Sequence, residues 1–121
     1  MRALLINPFD QTVEEIEYSG NYRDIYKIID CDIFTIASPN TVCDRRLDVF
    51  IDDEGLFKED QAFFMIAGYP QPLAGRGLLL ESDDQGETIG TTESIERAKK
   101  NITFGFPVIQ HETGDLGFIA A

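Results

Sequence analysis

Apolar residues recur along the chain in short runs with a period of two, broken twice by stretches with a period near four. Ala3 to Ile6 is a continuous apolar run closed by Asn7-Pro8, the pattern of a buried strand. Thr12 to Tyr18 alternates, with Thr12, Glu14, Ile16 and Tyr18 on one face and Val13, Glu15 and Glu17 on the other. That is a half-exposed strand turning back on the first as a hairpin. Asn21 suits a helix N-cap, and Tyr22, Ile25, Tyr26, Ile28 and Ile29 follow at helical spacing, leaving Arg23, Asp24 and Lys27 for solvent. The first helix is therefore predicted over Tyr22 to Ile29, and a third strand over Cys31 to Ala37, before a polar loop from Ser38 to Arg46. Leu47, Val49 and Ile51 then alternate with Asp48, Phe50 and Asp52, and Asp53-Glu54-Gly55 reads as a turn with Gly55 at positive φ. Ala62 to Ala67, Gly77 to Leu80 and Ile102 to Phe106 are further apolar strands. Thr91 or Thr92 is expected to cap a second helix over Glu93 to Lys100, with Lys99 and Lys100 complementing its C-terminal dipole. The whole predicts an α+β domain on one mostly antiparallel sheet of five to seven short strands with two helices.

With 121 residues, the chain fits a single domain over 1–121, with a core over about 1–104 and an apolar extension over 105–121. Phe104, Phe106, Val108, Ile109, Leu116, Phe118 and Ile119 are more apolar than an idle terminus needs. Either they add an edge strand packed on the core or they form an association surface; a small domain gains from every buried aromatic, which favours packing. Charge changes the picture more than size does. Ten basic against 22 acidic residues give a net charge of −12, which repels phosphate backbones and anionic lipid. Direct nucleic-acid or membrane binding is disfavoured, and a basic protein surface is the natural partner, unless the charge serves solubility alone. Cys31 and Cys43, in a chain whose start reaches Asn7-Pro8 too soon for a signal segment, read as reduced thiols in a cytoplasmic protein.

The densest candidate chemistry is the stretch from Gly68 to Gly77. Gly68, Gly75 and Gly77 permit close backbone approach, while Pro70 and Pro72 stiffen the chain. Tyr69 and Gln71 offer a stacking face and an amide, and Arg76 a charge-assisted donor for a carboxylate or phosphate. Gly68, Tyr69, Gln71, Gly75, Arg76 and Gly77 are thus the expected ligand-binding set for a small anionic ligand; the plain alternative is a shaped connection. Asp48, Asp52, Asp53 and Glu54 are the expected partner-binding carboxylates. Glu81 to Gly86 resembles the start of a calcium loop, but Thr92 stands where the bidentate glutamate belongs, so neither metal nor cofactor is expected. His111 has Glu112 and Asp115 near it in sequence only, neither cysteine has a neighbouring histidine or basic cluster, and no catalytic residue is assigned.

Several of these stretches look alike to a known group. Arg2 to Phe9, Ile25-Tyr26, Cys31-Asp32, Val49 to Leu56 and above all Gly68 to Gly77 resemble a bacterial and phage group of uncharacterised proteins. That group is similar to a domain-of-unknown-function family found on phages, plasmids and gut bacterial contigs, and the likeness spans roughly residues 1 to 104. The resemblance implies an accessory protein of a mobile element and transfers no activity. The leading expectation is a non-catalytic module that binds a host protein, such as a nucleic-acid-handling or defence factor. The alternatives are a nucleotide or signalling-molecule binder built on the Gly68–Gly77 stretch, and an enzyme of unrecognised type.

Overall fold

The computed structural model describes residues 1–39, 46–109, 114 and 116–121. The chain opens with strands β1 (Arg2–Asn7) and β2 (Thr12–Glu17), then a 3-10 turn (Tyr22–Asp24) running into helix α1 (Ile25–Ile28). Next come β3 (Phe34–Ala37), β4 (Arg46–Asp52), a second 3-10 turn (Gly55–Phe57), β5 (Phe63–Ile66), β6 (Leu73–Ala74) and β7 (Gly77–Ser82). β8 (Thr88–Ile89), α2 (Ile95–Asn101), β9 (Ile102–Ile109) and β10 (Leu116–Ala120) complete it. Among the described residues no helix is long and apolar enough to cross a membrane.

The α+β class holds, with mostly antiparallel pairing and two α-helices, but the single expected sheet is two. A six-stranded sheet runs β2-β1-β7-β4-β3 with β8 added on β7, and a four-stranded sheet runs β10-β9-β5-β6. The local alternation that marks β5 and β9 as strands carries no information about which neighbour each takes; here they take each other, Phe64 opposite Phe104 and Ile66 opposite Ile102. The expected edge strand of the tail is present: β10 pairs with β9, although Phe106 and Ile119, opposite each other, remain exposed.

The large sheet is buried on both faces, and the pleat sorts its side chains. Leu4, Ile6, Val49, Ile51 and Leu79 pack toward Phe64, Ile66, Leu73, Ile102 and Ala98 of the small sheet and α2. Ala3, Phe50, Leu78 and Leu80 pack the other way, onto Tyr18, Ile25, Ile29 and Cys31 around α1. Leu78, Leu79 and Leu80 are all at most 1% exposed, which explains why β7 reads as a continuous apolar run.

Local signals act as expected at some ends and differently at others. Asn21 caps the first turn, its Oδ1 accepting from the Arg23 N–H at 3.1 Å. α1 closes in a Schellman-type end: Asp30 is left-handed at φ 54°, and the Cys31 N–H reaches back to the Tyr26 carbonyl at 2.9 Å. β3 therefore starts at Phe34 and not at Cys31. α2 is capped by Ser94, not by Thr91 or Thr92, because Thr91 is buried and its hydroxyl donates to the buried Glu81 carboxylate at 2.7 Å. Glu81 also accepts from the Thr92 N–H at 2.8 Å, and Asp83 accepts from the backbone of Gln85 and Glu87. The carboxylates that resemble a calcium loop thus point to different backbone partners.

The two sheets press together at Gly77. A Cβ there would stand 2.9 Å from Phe64 Cζ and 3.0 Å from Val49 Cγ1, both on buried side chains. Gly77→Ala is expected to cost about 1–3 kcal/mol through overpacking. Gly86→Ala, where nothing lies within 4 Å, bears only the strain of φ 80°. Thermal unfolding of the two variants checks this, with the larger loss expected at Gly77.

Candidate functional site

The register of the large sheet assembles a site at one of its ends. Ile6 of β1, Gly77 of β7 and Ile51 of β4 lie side by side in the ladder. One step further, Arg76 and Asp52 come to neighbouring positions at the strand ends, and the turn after β1 brings Phe9 to the same end. Asn7 shapes that turn, its Oδ1 accepting from the Phe9 N–H at 3.0 Å. Arg76, Asp52 and Phe9, together with Ile29 and Asp30 at the end of α1 and with Gly55, Lys58, Glu59, Asp60 and Gly75, line a cleft of about 430 Å³.

Two contacts hold the strap from Gly55 to Asp60 over this end. Gly55 sits tight against the backbone of β6, where a Cβ would meet the Ala74 carbonyl oxygen at 2.7 Å. Its role is close approach; it is not among the residues at positive φ, contrary to the turn reading. Lys58 then reaches back, its Nζ lying 2.7 Å from Asp52 Oδ2 and donating to the Asp30 carbonyl at 2.6 Å. The hydrogen bond to Asp52 raises the Lys58 pKa above its ordinary 10.5. Asp52 Oδ1 accepts from the Glu54 N–H at 2.9 Å, so a carboxylate whose side chain is only 3% exposed is satisfied on both oxygens.

Arg76 differs. It is half-buried in the cleft wall, and its Nε is fully enclosed with no hydrogen-bond partner among the described residues. Cys31, a free buried thiol that feels the charges of Asp52 and Lys58, has its pKa pushed up to about 11, first by burial and then by the Asp52 charge. At neutral pH it is a protonated thiol and a poor nucleophile.

The expected ligand-binding set is brought together only in part. Gly75 and Arg76 line the cleft, Gly75 at φ 87°. Gly68 and Tyr69 line a different, more open depression of about 500 Å³ with Met65, Lys100, Asn101, Thr103 and Phe118. Tyr69 is half-buried and packs against the core between the sheets, Gln71 is exposed in the turn, and Gly77 is enclosed in the core. The two-residue strand β6, pairing Leu73 with Phe64 and Ala74 with Phe63, divides the stretch. Of the expected partner-binding carboxylates, Asp53 and Glu54 are exposed, Asp48 is half-buried and accepts from the Ser38 hydroxyl at 2.9 Å, and Asp52 is withdrawn into the cleft. Phe9, Asp30, Lys58, Glu59 and Asp60 carry no local signal of a shared site; only the ladder register unites them. Cys43, His111, Glu112 and Asp115 lie outside the described residues.

The family described as Domain of unknown function (DUF3846) matches residues 1–103. The chain belongs to this family. The DUF3846 match contains every residue lining the Arg76 cleft and stops within β9, so the β9–β10 edge lies largely beyond it. The chain is also similar to the uncharacterized protein y4iR of Sinorhizobium fredii (strain NBRC 101917 / NGR234), 29% identical over 110 residues that make up 88% of this chain. It spans 65% of that relative's length. No solved structure matches the DUF3846 chain.

The raised thiol pKa has a stability consequence whose sign is fixed. Cys31 binds its proton more tightly in the folded protein, so its contribution is complete below the ordinary value of 9.0 and is lost as pH rises toward about 11. Lys58, also raised, loses its contribution in the same direction but only above its ordinary 10.5. Chemical unfolding from pH 8 to about 11 should show a decline beginning near 9, and Cys31→Ala should remove that early part.

Proposed function

We propose that this DUF3846 protein is a non-catalytic binding module that holds one small ligand bearing a carboxylate or phosphate group in the Arg76 cleft. The observation behind the reading is that Arg76 lines a cleft of about 430 Å³ and has no hydrogen bond or ion pair to another described residue. The Nε itself is sealed from solvent, so a ligand oxyanion in the cleft engages the outer edge of the guanidinium, through its two parallel terminal N–H groups. The volume falls within the usual range of small-molecule sites, about 300–1,000 Å³. A role as mobile-element accessory protein, implied by the sequence resemblance, fits such a module acting by sequestering its ligand.

Capture of a basic host protein by displayed carboxylates is the other reading. It has the charge of −12 and the exposed Asp53 and Glu54 in its favour. It loses Asp52, whose charge is spent on Lys58, and part of Asp48, held by Ser38. A ligand cleft therefore accounts for more of what is enclosed at this end of the sheet.

A thermal-shift screen of carboxylates, phosphates and sulfates on wild type, Arg76→Gln and Tyr69→Ala tests the proposal. Loss of a charge-assisted hydrogen bond is worth about 1.5–3 kcal/mol, so Arg76→Gln should weaken a hit more than tenfold while its own melting temperature barely moves. Tyr69→Ala should melt earlier yet bind as wild type. A hit that survives Arg76→Gln and disappears in Tyr69→Ala would move the site to the other depression.

A further inference from the structure

We propose that the ligand of the Arg76 cleft is a small zwitterion of α-amino-acid type, with its carboxylate on Arg76 and its ammonium toward Asp30, Glu59 and Asp60. This rests on the reading of the cleft as a ligand site and narrows it through charge. The lining carries two cations, Lys58 and Arg76, against four carboxylates, Asp30, Asp52, Glu59 and Asp60. Lys58 is not free to hold an anion: its ammonium lies on Asp52 at 2.7 Å and donates to the Asp30 carbonyl at 2.6 Å. That pair is neutral as a unit. What remains is one guanidinium with no ion pair among the described residues and three carboxylates on exposed residues, a local balance of −2.

Such a site accepts one anionic group and repels several. A nucleoside polyphosphate would bring its charges into a cleft that holds a single unpaired cation, with three like charges around the mouth. A lone cation would leave Arg76 unsatisfied. A molecule with one carboxylate and one ammonium answers both, and the half-exposed Phe9 in the cleft lining offers an apolar surface for its side chain. The exposed acids are the part that distinguishes this ligand from a simple carboxylate or a nucleotide.

Isothermal titration of the full chain at low ionic strength tests the assignment, using the twenty common L-amino acids, their N-acetyl forms, AMP and ATP. At least one amino acid should bind, N-acetylation should weaken it tenfold or more, and neither nucleotide should compete. The triple variant Asp30→Asn, Glu59→Gln, Asp60→Asn should weaken the amino acid at least tenfold while leaving its N-acetyl form unchanged or tighter. A fold defect would weaken both forms alike, so the divergence reads charge and not stability. If AMP or an N-acetyl form binds as tightly as any amino acid and is lost in Arg76→Gln, the zwitterion assignment is overturned while the Arg76 cleft stands. If no amino acid shows binding that Arg76→Gln abolishes, the zwitterion assignment fails, while the Arg76 cleft stands or falls on the thermal-shift screen of carboxylates and phosphates.

Discussion

Gly77 is the point on which the structure turns. It is the residue at which β1, β7 and β4 come into register, between Ile6 and Ile51, and also the place where Phe64 of the small sheet presses onto the large one. Interiors are packed nearly as densely as crystals, so with contacts at 2.9 and 3.0 Å from an imagined Cβ a side chain here would have to push Phe64 and Val49 aside. Closing the sheets there lets Leu79, Val49, Leu4 and Phe64 share one core while Leu78, Leu80 and Phe50 build a second beneath α1.

The same closure defines where packing stops. β7 begins at Gly77, and immediately before it the chain must leave the core through Gly75 and Arg76. β4 ends at Asp52 beside them, and the turn after β1 delivers Phe9. Asp52 and Arg76 are thus placed by the ends of β4 and β7, while Lys58, Glu59 and Asp60 come from the strap between β4 and β5 and Asp30 from the end of α1. Lys58 ties the covering strap to Asp52 and the end of α1, and Arg76 is left without an acceptor among the described residues.

Much of this was legible along the chain, and the parts that were not share one cause. The hairpin of β1 and β2, the capped turn at Asn21, the alternation of β4 and the apolar run of β7 depend on neighbours a few residues apart. The division into two sheets depends on β5 choosing β9, some 40 residues away, and no local pattern encodes that. Arg76 stood out because glycines and prolines surround it, but its separation from Tyr69 hangs on the two-residue β6, too short to leave a periodic signal. Asp52 looked like a surface carboxylate on the outer face of a strand; α1 covers that face, and Lys58 crosses from the strap to pair with it. Gly55 was recognisable as a special position, though close approach to Ala74 and not backbone sign is what it provides.

Native mass spectrometry of gently purified wild type and Arg76→Gln, side by side, bears most directly on the claim that Arg76 anchors a small ligand. A small-molecule adduct on the wild-type chain that is absent from an equally folded Arg76→Gln is the expected result. An adduct present on both, or a wild-type chain that carries only a protein partner and no small molecule, would contradict it.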